Sequence, residues 1–78
     1  MMEKKMTQNE FIEKFKVAIN TDKDITPNMS LAEIDEWDSL GMACTISMFS
    51  EGFGKNIDYA QMESFKTVAD LINAAGIN

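Results

Sequence analysis

Histidine is absent from the 78-residue chain, and cysteine occurs once, at Cys44. The lack of histidine removes the commonest general base and the commonest metal ligand, so we expect neither a catalytic residue nor a metal site. One cysteine cannot form a disulfide within the chain, which is typical of a reducing cytoplasm. No apolar run reaches membrane length, and residues 1–5 lack the apolar centre of a signal peptide. We therefore expect a cytoplasmic protein without stable membrane insertion.

Positive charge is also scarce. The chain has 7 lysine and arginine residues against 13 aspartates and glutamates, so its net charge is −6. A nucleic-acid binder would need the opposite sign, and so would a protein held on anionic lipid. We expect no nucleic acid among the partners, and proteins with basic patches instead. The length fits one domain, residues 1–78, which we expect to be monomeric with a disordered tail at 1–5.

The first helix is predicted over residues 8–20. Thr7 and Glu10 are spaced as a capping box, in which each side chain accepts from the backbone N–H of the other. Met6 and Phe11 are placed as a hydrophobic staple across the same turn. The apolar residues that follow recur at helical spacing: Phe11, Phe15, Ala18 and Ile19.

A long polar connection, residues 20–37, follows the first helix and contains Pro27. Loops of this length are uncommon in compact domains unless their own side chains hold them in place. Ser30 is positioned to cap a single short turn within it. The apolar side chains expected to anchor the loop are Met29, Leu31, Ile34 and Trp37.

The second helix is predicted over residues 39–52, after Asp38. Gly54 is placed as a left-handed C-terminal cap. Gly41 is a poor helix former in the first turn; it either loosens this end or lets a partner's backbone approach. One face is expected to carry the apolar residues, which recur in steps of four, three and four: Met42, Ile46, Phe49 and Phe53.

Two shorter patterns complete the chain. Asp58 is placed to cap a short helix over 59–63, and Thr67 with Asp70 forms a second predicted capping box. The last helix should end at Gly76. Its apolar face is predicted to contain Val68, Leu71, Ile72 and Ala75. The fold class is therefore all-α: a small four-helix bundle of three main helices and one short helix, with a long loop between helices 1 and 2.

Ser39 stands between an acidic loop and this second helix. The simplest interpretation is that Asp38 or Ser39 only caps the helix. A serine nucleophile needs an adjacent general base, and the chain has no histidine to serve. A serine that is modified by another enzyme has fewer requirements, because its hydroxyl need only be exposed where the active site of that enzyme can reach it. We favour the substrate interpretation.

The segment Trp37-Asp38-Ser39-Leu40, opening an amphipathic helix in the middle of a small acidic chain, resembles the acyl carrier proteins and the related peptidyl carrier domains. The resemblance covers roughly residues 7–76. It implies that Ser39 receives a 4′-phosphopantetheine arm from coenzyme A, and that the thiol of this arm holds acyl intermediates as thioesters. The implied partners are a phosphopantetheinyl transferase and acyl-loading and acyl-processing enzymes. Two alternatives stay open: an aminoacyl or peptidyl carrier, and an unmodified helical interaction module.

The resemblance also implies roles for the neighbours of Ser39. Asp38 would help to orient magnesium or the transferase, although N-capping alone would explain it equally well. Leu40 would touch the modifying enzyme; the alternative is partial burial against the long loop. The surface expected to bind partners comprises Glu33, Asp35, Glu36, Leu40, Ala43, Glu51 and Asp58. For the carboxylates before Ser39 the simpler interpretation is a solvated loop.

The chain departs from the carrier family on the outer face of the second helix. Housekeeping fatty-acid carriers usually have several acidic residues there. In this chain Glu51 is the only carboxylate of that helix, and the face is expected to present Gly41, Cys44, Ser47 and Ser50. This difference, together with the tryptophan before Asp38, favours a specialised free-standing carrier. Cys44 is expected to be a small apolar filler or a partly exposed thiol.

Overall fold

The computed structural model describes residues 7–77, and within them the fold is an all-helical bundle without β-strands. Its helices are α1 Gln8–Ala18, α2 Ser39–Met48, α3 Tyr59–Ser64 and α4 Val68–Ala74. A 3₁₀ turn, Leu31–Glu33, lies in the loop between α1 and α2, and a π-helical turn, Phe49–Phe53, continues α2. The predicted fold class is therefore confirmed. The expected tail at 1–5 and the Met6 half of the staple lie outside the described residues.

The capping residues explain where α1 begins and ends. The Thr7 hydroxyl accepts from the Glu10 N–H at 3.2 Å, and the Thr7 N–H donates to Glu10 Oε1 at 2.9 Å. This is the predicted capping box. At the other end α1 stops at Ala18, two residues earlier than predicted, because Asn20 adopts a left-handed φ of 59° that a helix cannot include.

The starts of α3 and α4 also follow the predicted caps. The Asp58 carboxylate accepts from the Gln61 N–H at 2.7 Å, and the Thr67 hydroxyl accepts from the Asp70 N–H at 3.3 Å. Gly76, with φ of 84°, ends the last helix as expected.

The long loop crosses the bundle and is fixed at both sides. Leu31 and Ile34 are buried at 2 % and 3 % exposure, and the Trp37 ring centroid lies 5.8 Å from that of Phe15. Hydrogen bonds tie the same loop to the segment before α4. The Leu31 N–H donates to the Lys66 carbonyl at 2.8 Å. The predicted anchors of the loop are thus confirmed, and Met29 packs against the core with them.

The predicted apolar face of α2 is rotated in the structure. Its most buried positions are Gly41, Thr45 and Phe49, whereas Met42 and Ile46 are half-buried against the core. The expectation that Gly41 lies on the outer face of this helix is therefore wrong: Gly41 is buried, with the Glu36 backbone packed against it. Phe49 meets the Phe11 ring edge to face at 6.0 Å. The α-helix ends at Met48 rather than at 52, and the π-helical turn leads to the left-handed cap at Gly54, which was predicted.

Within residues 7–77, no helix is both long enough and apolar enough to cross a membrane.

Candidate functional site

The candidate site is the first turn of α2. Asp38 is the N-cap, and its carboxylate oxygen accepts from the Gly41 N–H at 2.9 Å. Ser39 is the first residue of the helix and its side chain is exposed. The structure therefore places the Ser39 hydroxyl outside the bundle, next to the helix end whose backbone N–H groups lack intrahelical partners. The assignment of a cofactor to this hydroxyl stays a prediction.

Gly41 allows the loop to approach the helix. It is buried, and a Cβ built there would overlap the carbonyl oxygen of Glu36. That carbonyl also accepts from the Asp38 N–H at 3.0 Å, so the turn before the helix is tightly folded. Of the two interpretations of Gly41, a close backbone approach is the one observed. The backbone belongs to the chain's own loop and not to a partner.

Two exposed apolar side chains flank Ser39. Leu40 is 72 % exposed, which excludes its alternative role in packing against the loop. Tyr59, 42 % exposed, lies beside the same turn, and its hydroxyl donates to the Ser39 carbonyl oxygen at 3.3 Å. Among the described residues only Val17 is a further large apolar side chain with such exposure. Two of the three exposed apolar side chains, Leu40 and Tyr59, therefore lie beside Ser39.

The carboxylates before Ser39 differ from one another in environment. Glu33, Asp35 and Asp38 are exposed, and Asp35 forms an ion pair with Lys23 at 3.3 Å. Glu36 is half-buried, and its Oε1 atom is buried without a hydrogen-bond partner within residues 7–77. The expected solvated acidic patch is thus reduced to three exposed carboxylates. In the part of the chain that the structure describes, no group of these residues is arranged to hold a metal ion.

The remaining residues expected to bind partners are exposed but not all near Ser39. Ala43 lies one turn along α2, and Glu51 lies in the π-helical turn, about 18 Å along the axis from Ser39. Asp58 caps α3, next to Tyr59. The structure therefore gathers Ser39, Leu40 and the α3 start at one end of α2, and leaves Glu51 at the other.

Sequence reasoning missed the contacts of Tyr59 and the burial of Thr45. Tyr59 and Ser39 are 20 residues apart in the sequence, and no short-range pattern predicts a contact between them. Thr45 is fully buried, and its hydroxyl donates to the Gly41 carbonyl at 2.8 Å. Threonine in helices often forms this i to i−4 bond, so the bond could be anticipated. The burial of Thr45 could not, because the sequence placed Gly41 on the outer face.

A cleft of about 260 Å³ opens beside the site, between the end of α1 and the start of α2. Its lining includes Ala18 and Asn20 from the α1 side, and Leu40 and Cys44 from α2. Cys44 is half-buried, in agreement with the expected partly exposed thiol. Glu36 also lines this cleft.

Comparison with known proteins adds no family to this geometry. No family model matches the chain, and neither the curated proteins nor the solved structures contain a match to it. The resemblance to carrier proteins comes from the residues around Ser39 and stays a prediction.

Proposed function

We propose that this chain is an acyl carrier protein whose Ser39 carries a covalent 4′-phosphopantetheine arm. The observation that supports the proposal most directly is the position of Ser39. It is exposed, it is the first residue of α2, and it directly follows the capping Asp38. The thiol of the arm would hold acyl intermediates as thioesters and deliver them to partner enzymes.

The proposed modification needs little from the chain itself. The Ser39 oxygen attacks the phosphorus that bears the pantetheine group in coenzyme A. The new O–P bond forms as the phosphoanhydride bond breaks, and the nucleotide leaves. The serine proton passes to a base of the transferase, because this chain has no histidine to take it. The resulting phosphodiester sits at the positive end of the α2 dipole, which favours an anion.

The neighbouring residues have supporting roles in this proposal. Asp38 fixes the turn that presents Ser39, and its exposed carboxylate is available to magnesium or to the transferase. Leu40 offers an apolar contact to the modifying enzyme. The working group is the thiol of the arm, so the chain has no catalytic activity of its own.

The surface of α2 favours a specialised carrier over a housekeeping one. Ala43, Ser47 and Ser50 are exposed on this helix and its π-helical turn, and Glu51 is the only carboxylate there. Enzymes that select an acidic second helix would find little charge to bind. Loading and processing enzymes of a dedicated lipid or polyketide pathway would instead meet apolar groups beside Ser39 and carboxylates in the preceding loop.

The test is transfer of the arm. The purified chain is incubated with coenzyme A, magnesium and a broad-specificity phosphopantetheinyl transferase, and its intact mass is measured. We expect a gain of one arm on the wild type and on Ser47→Ala, which removes another exposed serine of α2, and no gain on Ser39→Ala. No gain on the wild type, with a related carrier modified in parallel, would favour the unmodified interaction module.

A second step separates the carrier subclasses. The modified chain is offered acyl and aminoacyl donors with their loading enzymes, and the mass of the thioester is measured. We expect acyl loading. Aminoacyl loading alone would support the peptidyl-carrier alternative.

A further inference from the structure

Tyr59, the first residue of α3, contacts the residue on which the arm is proposed. Its hydroxyl donates to the Ser39 carbonyl oxygen at 3.3 Å, and its side chain is 42 % exposed. The modification proposed for Ser39 gives this contact no role. The phenol is nevertheless a hydrogen-bond donor that the fold holds beside the attachment point.

The hydrogen bond between Tyr59 and Ser39 is a weak one. Bonds from a hydroxyl to an oxygen are commonly about 2.7–2.8 Å long, so 3.3 Å is long for this kind of bond. The Ser39 carbonyl also belongs to the first turn of α2, where helix geometry supplies the N–H of Ala43 as its donor. Loss of the phenol would therefore leave no unpaired carbonyl. Tyr59 can exchange this acceptor for a better one at little cost.

The Ser39 hydroxyl lies close to the carbonyl that Tyr59 contacts. These two oxygens of one serine are joined through four bonds and lie no more than about 5 Å apart. Because the Tyr59 side chain is partly exposed, its ring has room to rotate. The phenol can therefore contact a group attached to the Ser39 oxygen while α3 keeps its place.

The charges beside the two residues favour such an exchange. Asp38 directly precedes Ser39, Asp58 directly precedes Tyr59, and both carboxylates are exposed. A phosphodiester on Ser39 adds a further negative charge near them, and an O–H donor stabilises that charge. Hydrogen bonds to an ionised acceptor are shorter and roughly twice as strong as those between neutral groups.

We propose that in the modified protein the Tyr59 hydroxyl leaves the Ser39 carbonyl and donates to a phosphodiester oxygen. Tyr59 thereby restrains the point at which the arm leaves the chain. This inference rests on the proposed function. No covalent bond changes in the exchange, so the contact can form as soon as the arm is attached.

The test compares Tyr59→Phe, which removes the hydroxyl and keeps the ring, with the wild type. Ser64→Ala is the matched control, because the Ser64 hydroxyl of α3 donates within its own helix, to the Gln61 carbonyl at 2.6 Å. Each full chain is prepared without and with the arm, and intact mass confirms the attachment. Urea unfolding and the ³¹P resonance of the phosphodiester are then measured.

Tyr59→Phe should raise the unfolding equilibrium constant about threefold more in the modified chain than in the unmodified one, because only the modified chain loses a bond to a charged acceptor. It should also shift the ³¹P resonance. Ser64→Ala should change stability equally in the two forms and leave the ³¹P resonance in place.

Two different failures can be told apart. An equal effect of Tyr59→Phe in the two forms, or an unchanged ³¹P resonance, would overturn this inference alone and leave Tyr59 as a contact that only joins α3 to α2. No mass gain on the wild type, with a related carrier modified in parallel, would overturn the proposed function and this inference with it.

Discussion

The first turns of α2 and α4 both follow a polar N-cap whose side chain accepts from a backbone N–H three residues on, Asp38 in one and Thr67 in the other. After Thr67 the chain enters the core at once, and both Val68 and Leu71 are fully buried. After Asp38 the next two residues, Ser39 and Leu40, are exposed. A cap thus marks where a helix begins, and the exposure of the residues after it distinguishes a structural helix start from one open to another molecule.

The segments that lead into α2 and α4 also differ in what holds them in place. The one before α4 is held by backbone hydrogen bonds from the long loop, including the Leu31 N–H to the Lys66 carbonyl at 2.8 Å. The one before α2 instead depends on close packing, since the Glu36 backbone lies directly on Gly41. We infer that α4 is secured by hydrogen bonds and burial, whereas the α2 start depends on the absence of one methyl group.

The largest expected effect contrasts one leucine from each helix. Leu71→Ala should lower the free energy of unfolding by about 2–5 kcal/mol, because it leaves a cavity in the core. Leu40→Ala, the same change at a 72 % exposed position, should stay within about 0.5 kcal/mol of the wild type. Urea unfolding followed by Trp37 fluorescence measures both. A comparable loss at Leu40 would show that the α2 start belongs to the core in solution.

The next effect tests the close packing before α2. Gly41→Ala should destabilise the fold by about 1–3 kcal/mol, because its methyl group would displace the Glu36 carbonyl. Gly52→Ala is the control, since a Cβ there meets open space and φ is not left-handed. It should be neutral or stabilising, by up to about 1 kcal/mol. The same unfolding measurement applies, and equal stabilities for the two variants would contradict the described geometry.

A third effect concerns the α4 cap and depends on pH. Backbone hydrogen bonds from Lys66 and then Thr67 lower the pKa of Asp70 below its ordinary value of 3.8. A carboxyl whose folded pKa is lowered stabilises the fold above its unfolded pKa, and that contribution is lost as the pH falls through the folded pKa. Solvent screens this carboxylate, so Asp70→Ala should destabilise the fold at pH 7 by no more than about 1 kcal/mol.

The difference between wild type and Asp70→Ala should shrink as the pH is taken below 3.8. Unfolding curves at neutral pH and at about pH 2 measure the change. A difference that is the same at both would mean that the charged form of Asp70 contributes nothing to the cap.

Sequence reasoning predicted most of the fold because its determinants are local. Thr7 with Glu10, Asp58, and Thr67 with Asp70 each act within one helical turn, and all three caps are observed. The errors have non-local or conformational causes. The left-handed turn at Asn20 shortens α1, and the π-helical turn after Met48 ends α2 early.

The candidate site was predictable only as far as local chemistry extends. The sequence limits the cap to Asp38 or Ser39 and predicts a helix that begins at Ser39, and the structure shows that Asp38 is the cap. The partial burial of Glu36 and the contact of Tyr59 do not, since each depends on how the loop and α3 pack against α2. What attaches to Ser39 depends on another enzyme and stays a prediction.

The smallest expected change in stability concerns Asp38 and separates its two proposed roles. Asparagine caps helices about as well as aspartate, because its side-chain oxygen accepts the same N–H, so Asp38→Asn should leave stability within about 0.5 kcal/mol. Asp38→Ala loses the 2.9 Å bond to the Gly41 N–H and should cost about 1 kcal/mol.

If the carboxylate serves magnesium or the transferase, arm transfer should slow about tenfold or more in both variants. If it only caps, Asp38→Asn should be modified at the wild-type rate. Initial rates of mass gain, set beside the unfolding free energies, decide between the two. If Asp38→Asn is as stable as the wild type but receives the arm slowly, the negative charge of Asp38 serves magnesium or the transferase and not the helix. Thr67, the cap of α4, has no charge that could serve in this way.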